Sequence, residues 1–423
     1  MTFPVRRLRR SFWLPAACAV LVCGFIVPLS LASGAPASSG THWVTTWAAS
    51  PQVAVPGTLS ETGFDNQTVR NIVFTSVGGS TVRVRFTNTF GREPLEIGRA
   101  AIGVHGALAG VDGASVPLSF GGSSSVLIPA GAEALSDPVH LTVLPLQDLV
   151  VSVFLPQATG PATQHALAQQ VNYVAAGDHA LDSSASAFTT ETKSSYFVDS
   201  IDVLASDRTL GTVVTLGDSI TDGYHSSENQ NDRWPNDLAR RLDGLSGPTL
   251  SVADEGISGN RVLNDSVCCG VNALARLERD VLDRAGVRDV ILLEGINDIG
   301  FSQLTGPTVE PTTEVSAAQI IAGYEQIIAQ VHAAGLKIFG ATLTPFKGAS
   351  YETPAGLVKR DVVNNWIRTS GAFDGVIDFA KVTADPADPE MLNPAYDSGD
   401  HLHPNDAGYR AMANAVNLVM LLG

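Results

Sequence analysis

The feature that most constrains this chain is a change of pattern at Gly211. Beyond it, five short apolar runs alternate with segments of helical periodicity. The runs are Val213–Leu216, Leu250–Ala253, Val290–Leu293, Ile338–Leu343 and Val376–Phe379. Between them, Leu274, Leu277 and Val281 recur at helical spacing, as do Ile320, Ile321, Tyr324, Ile327, Ile328 and Val331. Further helices are predicted from about Leu357 to Ile367 and from about Asn405 to the C-terminus. Runs of this length alternating with helices predict a five-stranded parallel sheet covered on both faces. Ligands of such sheets bind beyond the carboxyl ends of the strands. Any chemistry is therefore expected just after the apolar runs.

Residues 41–205 read differently. In Thr81–Phe86 the apolar Val82, Val84 and Phe86 alternate with Thr81, Arg83 and Arg85, the period of a half-buried strand. Thr68–Phe74, Ser125–Ile128, His140–Val143 and Leu149–Leu155 are further strand candidates, separated by Gly, Pro and Ser clusters. Many short strands with turn signals predict a β-sandwich-like domain over 41–205, followed by the α/β domain over 211–423.

The first 37 residues read as a secretory signal peptide: Arg6, Arg7, Arg9 and Arg10, then a mostly apolar stretch, then small residues at Ala32, Ala35 and Ala37. The rest of the chain is expected outside the cell, with no stable membrane insertion after cleavage. Arg9-Arg10-Ser11-Phe12 leaves both the general and the twin-arginine export routes open. Acidic residues outnumber basic ones 42 to 26. Four of those basic residues lie in the signal, so the mature chain is more acidic still. This disfavours nucleic acid and anionic membranes as partners.

Four polar clusters stand where chemistry is expected. Gly217-Asp218-Ser219-Ile220-Thr221 follows the first run, and Gly256-Ile257-Ser258-Gly259-Asn260 the second. Gly295-Ile296-Asn297-Asp298 follows the third. Asp400-His401-Leu402-His403-Pro404 lies between the fifth run and the last helix. Each alone is weak, since Gly-Asp-Ser is usually a turn. Together they supply one chemistry. A serine hydroxyl is a poor nucleophile until a base takes its proton. His403 can be that base, and Asp400 can fix its tautomer and orientation. A tetrahedral oxyanion needs preorganised donors, for which the backbone N–H groups of Ser219 and Gly259 and the side-chain amide of Asn297 are candidates.

The order and wording of these blocks resemble the SGNH or GDSL hydrolases, over about Thr212 to the C-terminus. The resemblance implies a three-layer α/β/α fold. It implies Ser219 as nucleophile and first oxyanion donor, Gly259 and Asn297 as the other donors, and Asp400 and His403 as the rest of a triad. Gly259 is preferred to Gly256 because the Ile-Ser-Gly spacing is closer to the family's. The first block reads Gly-Asp-Ser-Ile rather than Gly-Asp-Ser-Leu, which leaves the serine in place. With Trp43–Pro51 and the β-rich half, the layout resembles secreted actinobacterial members of that family.

No Gly-x-Ser-x-Gly elbow, His-Glu-x-x-His or Walker loop occurs. Asp298 and Glu294 are expected to make structural hydrogen bonds, and His225 to line the cleft. Trp43, Trp47, Trp234 and Trp366 are expected in the core. The expected activity is hydrolysis of carboxylic esters through an acyl-enzyme, with no cofactor and no metal. Small-molecule or polysaccharide esters are the expected partners, with short-chain and acetylated carbohydrate esters favoured. A lipase or lysophospholipase of the same family is one alternative, and a polysaccharide-binding protein with an inert hydrolase half another. A metal-dependent deacetylase using His401 and His403 is a third. Cys268 and Cys269 are open to three fates: closing on each other, pairing with other chains, or staying free. Because every block lies beyond residue 211, that part alone is expected to keep some activity on small esters.

Overall fold

The structure, a computed structural model, describes residues 41–423 and Thr2. The expected export segment, with Cys18 and Cys23, lies outside the described residues. Among those described, no helix is long and apolar enough to cross a membrane.

Among the described residues, the β-rich half forms two two-stranded antiparallel sheets and two large ones. One joins His42–Ala48, Val198–Ala205, Gly79–Thr87 and Glu133–Leu135, with Val139–Val143 also paired to Gly79–Thr87. The other runs Thr190–Thr192, Asn172–Ala176, Gln67–Phe74, Asp148–Leu155, Arg99–His105 and Val111–Pro117. Val82, Val84 and Phe86 are fully buried. They share one apolar cluster with Val69, Val73, Ile102 and Val151 of the opposite sheet. The period-2 pattern thus finds its partner face. Alternation does not mark Gln67–Phe74 or Val198–Ala205, which are buried on both faces. The Arg70 guanidinium is buried in the former and donates to Ser152 Oγ and to the Ala109 and Ser184 carbonyls.

The α/β half carries a five-stranded parallel sheet in the order Thr249–Gly256, Thr209–Gly217, Val287–Leu293, Lys337–Ala341, Gly375–Ile377. The chain starts at the second position, steps outward once, then reverses direction. The switch point therefore falls beside Thr209–Gly217, where such sheets open a crevice. Helix Trp234–Asp243 packs against Asp406–Ala415, and Ala317–Ala333 against Pro354–Thr369. Trp234 is fully buried. The final helical segment breaks at Val416-Asn417, and Asn417 caps a separate short helix, Leu418–Leu422.

The two halves share polar contacts that the sequence does not disclose. Thr45 donates its N–H to Thr212 Oγ1 at 3.1 Å and accepts the Ala285 N–H on Oγ1 at 3.0 Å. Ser76 Oγ accepts the Val252 N–H at 3.0 Å, so the β-rich half covers the exposed ladder of the outermost parallel strand. The buried Arg284 guanidinium forks onto Asp199 of the β-rich half, with one arm at 2.9 Å, and its Nε donates to Glu255 at 2.6 Å.

Candidate active site

Strand Thr209–Gly217 ends in a sharp turn into the four-residue helix Ser219–Asp222. Asp218 caps it, its Oδ1 accepting the Ile220 N–H at 3.0 Å. This places Ser219 at the switch point. Its Oγ lies 2.8 Å from His403 Nε2, and His403 Nδ1 lies 2.6 Å from Asp400 Oδ2. Asp400 and His403 come from the loop before helix Asp406–Ala415. Asp400 Oδ1 accepts the N–H groups of Leu402 and His403 at 2.9 and 2.8 Å, and the Ser398 hydroxyl at 3.2 Å. Burial pushes the Asp400 carboxyl up, but the bonds from His403 and the two backbone amides outweigh it and hold it well below the usual range. The carboxylate therefore stays ionised beside His403, and its acceptor character leaves the Nδ1 proton in place.

The three sequence-derived donors converge on the same cleft. Ser219, Gly259 and Asn297 line it together with Asp400 and His403. The N–H groups of Ser219 and Gly259 have no partner among the described residues. Gly256 is spoken for: its N–H donates to Asp254 Oδ1 at 3.0 Å, and it faces away from the cleft. A Cβ at Gly256 would lie 2.2 Å from the Asp222 nitrogen, so that glycine serves close packing against helix Ser219–Asp222. Gly259 has φ +80°, a conformation few other residues adopt, and a Cβ there would lie 2.4 Å from Cys269 Sγ. Asn297 Nδ2 donates one hydrogen to the Asn260 carbonyl at 2.9 Å, and Asn297 Oδ1 accepts the Tyr351 hydroxyl at 3.2 Å. Both contacts fix the amide, with its second N–H left for the cleft.

Other residues singled out in the sequence have different places. Asp298 accepts the N–H groups of Val262 and Leu263 at 2.7 and 3.1 Å, a structural role. Glu294 is buried 3.7 Å from Arg276. Burial pushes Asp218 and Asp298 up to about 7, and Glu294 well above its ordinary range. His401 and His403 are not brought together as a ligand pair, because His401 Nδ1 turns to Asp397 Oδ2 at 2.7 Å. His225 instead places Nε2 3.4 Å from Asp400 Oδ2. Cys268 and Cys269 close on each other as a disulfide in the cleft wall. The cleft encloses about 690 Å³, with Leu167, Tyr224, Leu304 and Leu402 among its apolar lining.

Tyr351, Asn260 and Asp222 escaped the sequence reading as site residues. Tyr351 has no positional signal, since 54 residues separate it from Asn297. Asn260 closes the second block and Asp222 directly follows the first, and that position is the signal that could have found them.

Residues 215–411 match the model of the GDSL-like lipase/acylhydrolase family. None of the curated proteins compared with the chain matches it. Among solved structures, a GDSL-like lipase from Bacteroides thetaiotaomicron VPI-5482 is similar at 17% identity and TM-score 0.38, covering 50% of this chain and 88% of that one. A catalytic mutant of an acetylxylan esterase from Geobacillus stearothermophilus is similar at 20% identity and TM-score 0.38, covering 49% and 92%. Within the α/β half, residues 215–411 thus carry the similarity to the GDSL-like lipase/acylhydrolase family.

Proposed function

We propose that the protein is an exported serine esterase that cleaves small carboxylic esters, with short-chain and acetylated carbohydrate esters as its substrate class. One observation carries the reading: the continuous chain from Ser219 Oγ through His403 to Asp400, at 2.8 and 2.6 Å, opening on a cleft lined by three donors. In the forward step His403 Nε2 takes the Ser219 proton as Oγ bonds to the ester carbonyl carbon. The oxyanion forms among the Ser219 and Gly259 N–H groups and the Asn297 amide. Collapse breaks the bond to the alcohol, which leaves with the proton from His403. Water then attacks the acyl-enzyme, gives a proton to His403, and releases the acid as Ser219 recovers its hydrogen. Asp400 keeps its charge throughout and offsets that of the imidazolium.

The substrate class is supported by the lining. Ser258, Ser350, Asn297 and His401 stand among the leucines, so a polar alcohol can be bound beside a short acyl group. Export is supported by the basic and apolar start of the sequence and by the Cys268–Cys269 disulfide, which suits an oxidising compartment.

The test is an ester panel, acetyl to palmitoyl plus acetylated sugars, on wild type and Ser219→Ala, with mass spectrometry after a sulfonyl fluoride. Wild type is expected to favour short acyl groups, ignore chelators and take one adduct on Ser219. The variant should lose turnover down to roughly the residual 10³–10⁴-fold over water that triad loss leaves. A variant that keeps a tenth of wild-type activity overturns the mechanism. A palmitoyl preference transfers the reading to a lipase.

A further inference from the structure

We propose that His165, carried by the β-rich half, is a buried imidazolium that positions the oxyanion loop of the α/β half. This rests on the esterase reading above, because it concerns the donors of that site.

His165 lies on the short strand Gln164–His165, paired with Ser195–Tyr196, and is 7% exposed. Both ring nitrogens face acceptors. Nδ1 lies 3.0 Å from the Ser50 carbonyl oxygen, and Nε2 lies 3.1 Å from Asp222 Oδ1. A carbonyl only accepts, so Nδ1 carries a hydrogen. At Nε2 the hydrogen belongs either to the ring or to Asp222. The other carboxylate oxygen decides between them. Asp222 Oδ2 accepts the Ser258 N–H at 2.9 Å and the Ser258 hydroxyl at 2.5 Å. Two donors on one oxygen favour the ionised carboxylate, and an ionised carboxylate requires the ring to donate.

The surroundings agree. Burial opposes a charged ring, but the charge and hydrogen bond of Asp222 and the Ser50 carbonyl outweigh it, so His165 titrates above its ordinary value. Arg233 opposes the charge, its Nε donating to the Asp222 backbone carbonyl at 2.9 Å. Asp254 lines the same small cavity between the halves, and burial pushes it up to about 7.

The consequence reaches the reacting atoms through one carboxylate. Asp222 is the last residue of the nucleophile's helix, and Ser258 directly precedes Gly259. Asp222 therefore ties the Ser258–Gly259 peptide, whose N–H is an oxyanion donor, to the element bearing Ser219. His165 fixes the carboxylate's charge and rotation from behind. The β-rich half thereby contributes a positioning residue without touching substrate.

The experiment uses the full chain, ¹⁵N-labelled at histidine. Wild type at pH 7 should show both His165 ring nitrogens protonated, assigned by their loss in His165→Gln, and the imidazolium should disappear in Asp222→Asn. His165→Asn keeps a donor for Ser50 only. His165→Gln keeps a donor that reaches Asp222. On an acetyl ester, His165→Asn should lower kcat about tenfold or more, short of the ~10²–10³ for outright loss of a donor, with KM within about twofold. His165→Gln should recover part of that loss. A bare ring nitrogen in the wild type, or a folded His165→Asn with unchanged kcat, overturns the proposal. If His165→Asn does not fold, the wild-type spectrum decides. A failed esterase reading is recognised separately, by an active Ser219→Ala.

Discussion

Ser219 Oγ and His403 Nε2 stand 2.8 Å apart although 184 residues separate them. The contact exists because both lie at one edge of the sheet, Ser219 at the start of the short helix after its first strand and His403 in the loop before its last long helix. Everything the site can do depends on how firmly the neighbouring loops are held there.

Asn297 and Tyr351 form a graded pair. Asn297→Ala should lower kcat by roughly 10²–10³ with little change in KM, because the amide meets charge chiefly in the transition state. Tyr351→Phe removes only the hydrogen bond to Asn297 Oδ1 and should lower kcat by about 2- to 10-fold, the worth of one such bond. Steady-state kinetics on one acetyl ester checks both. A rise in KM at constant kcat would make Asn297 a ground-state binding residue.

Gly259→Ala should damage activity as well as stability. The new Cβ meets Cys269 Sγ at 2.4 Å on a backbone with φ +80°. Gly371→Ala is the control: its φ is +69°, but its surroundings are open and it does not line the cleft. Both should lose about 1–2 kcal/mol from the left-handed conformation. Only Gly259→Ala should also lower kcat, measured at a temperature where both variants are folded.

A fragment of residues 211–423 is expected to be poorly soluble and inactive on small esters, despite carrying every catalytic block. It would strip Arg284 of its Asp199 partner, uncover the ladder that Ser76 covers, and remove His165 from Asp222. Arg284 would keep Glu255, but the face that the β-rich half covers would be laid open to water. Circular dichroism with an acetyl-ester assay checks this, and a folded, active fragment would show the β-rich half to be dispensable.

Stability should fall as pH rises from about 5 to 8. Burial lifts Asp218, Asp254 and Asp298 from 3.8 to about 7. In that window the folded chain holds protons that the unfolded chain has released, so raising the pH favours unfolding. His165, raised by Asp222, acts in the same direction. Asp400 is depressed, so its contribution is lost only in acid below its ordinary value. The melting temperature should drop by about 2–5 °C between pH 5 and 8. Asp254→Asn should flatten the slope. A melting temperature that rises across this range contradicts the burial of these groups.

Much of this architecture is written locally. Val213–Leu216 and the four runs after it are apolar in short stretches because a parallel strand covered by helices must be, and all five form the sheet. That Ser219, Gly259, Asn297, Asp400 and His403 meet at one cleft is legible in the sequence, because polar blocks that follow parallel strands gather beyond the strands' carboxyl ends. What the tertiary structure decided has no linear signature. Tyr351 reaches Asn297 only once the α/β half has folded, and Asp199 reaches Arg284 and His165 reaches Asp222 only once the β-rich half lies against the sheet. Spacing alone favours Gly259 over Gly256, and the packing of Asp222 on one and Cys269 on the other supplies the physical difference. Local patterning records which face a residue buries. It does not record which distant residue fills the space opposite, because that is set by how the layers stack.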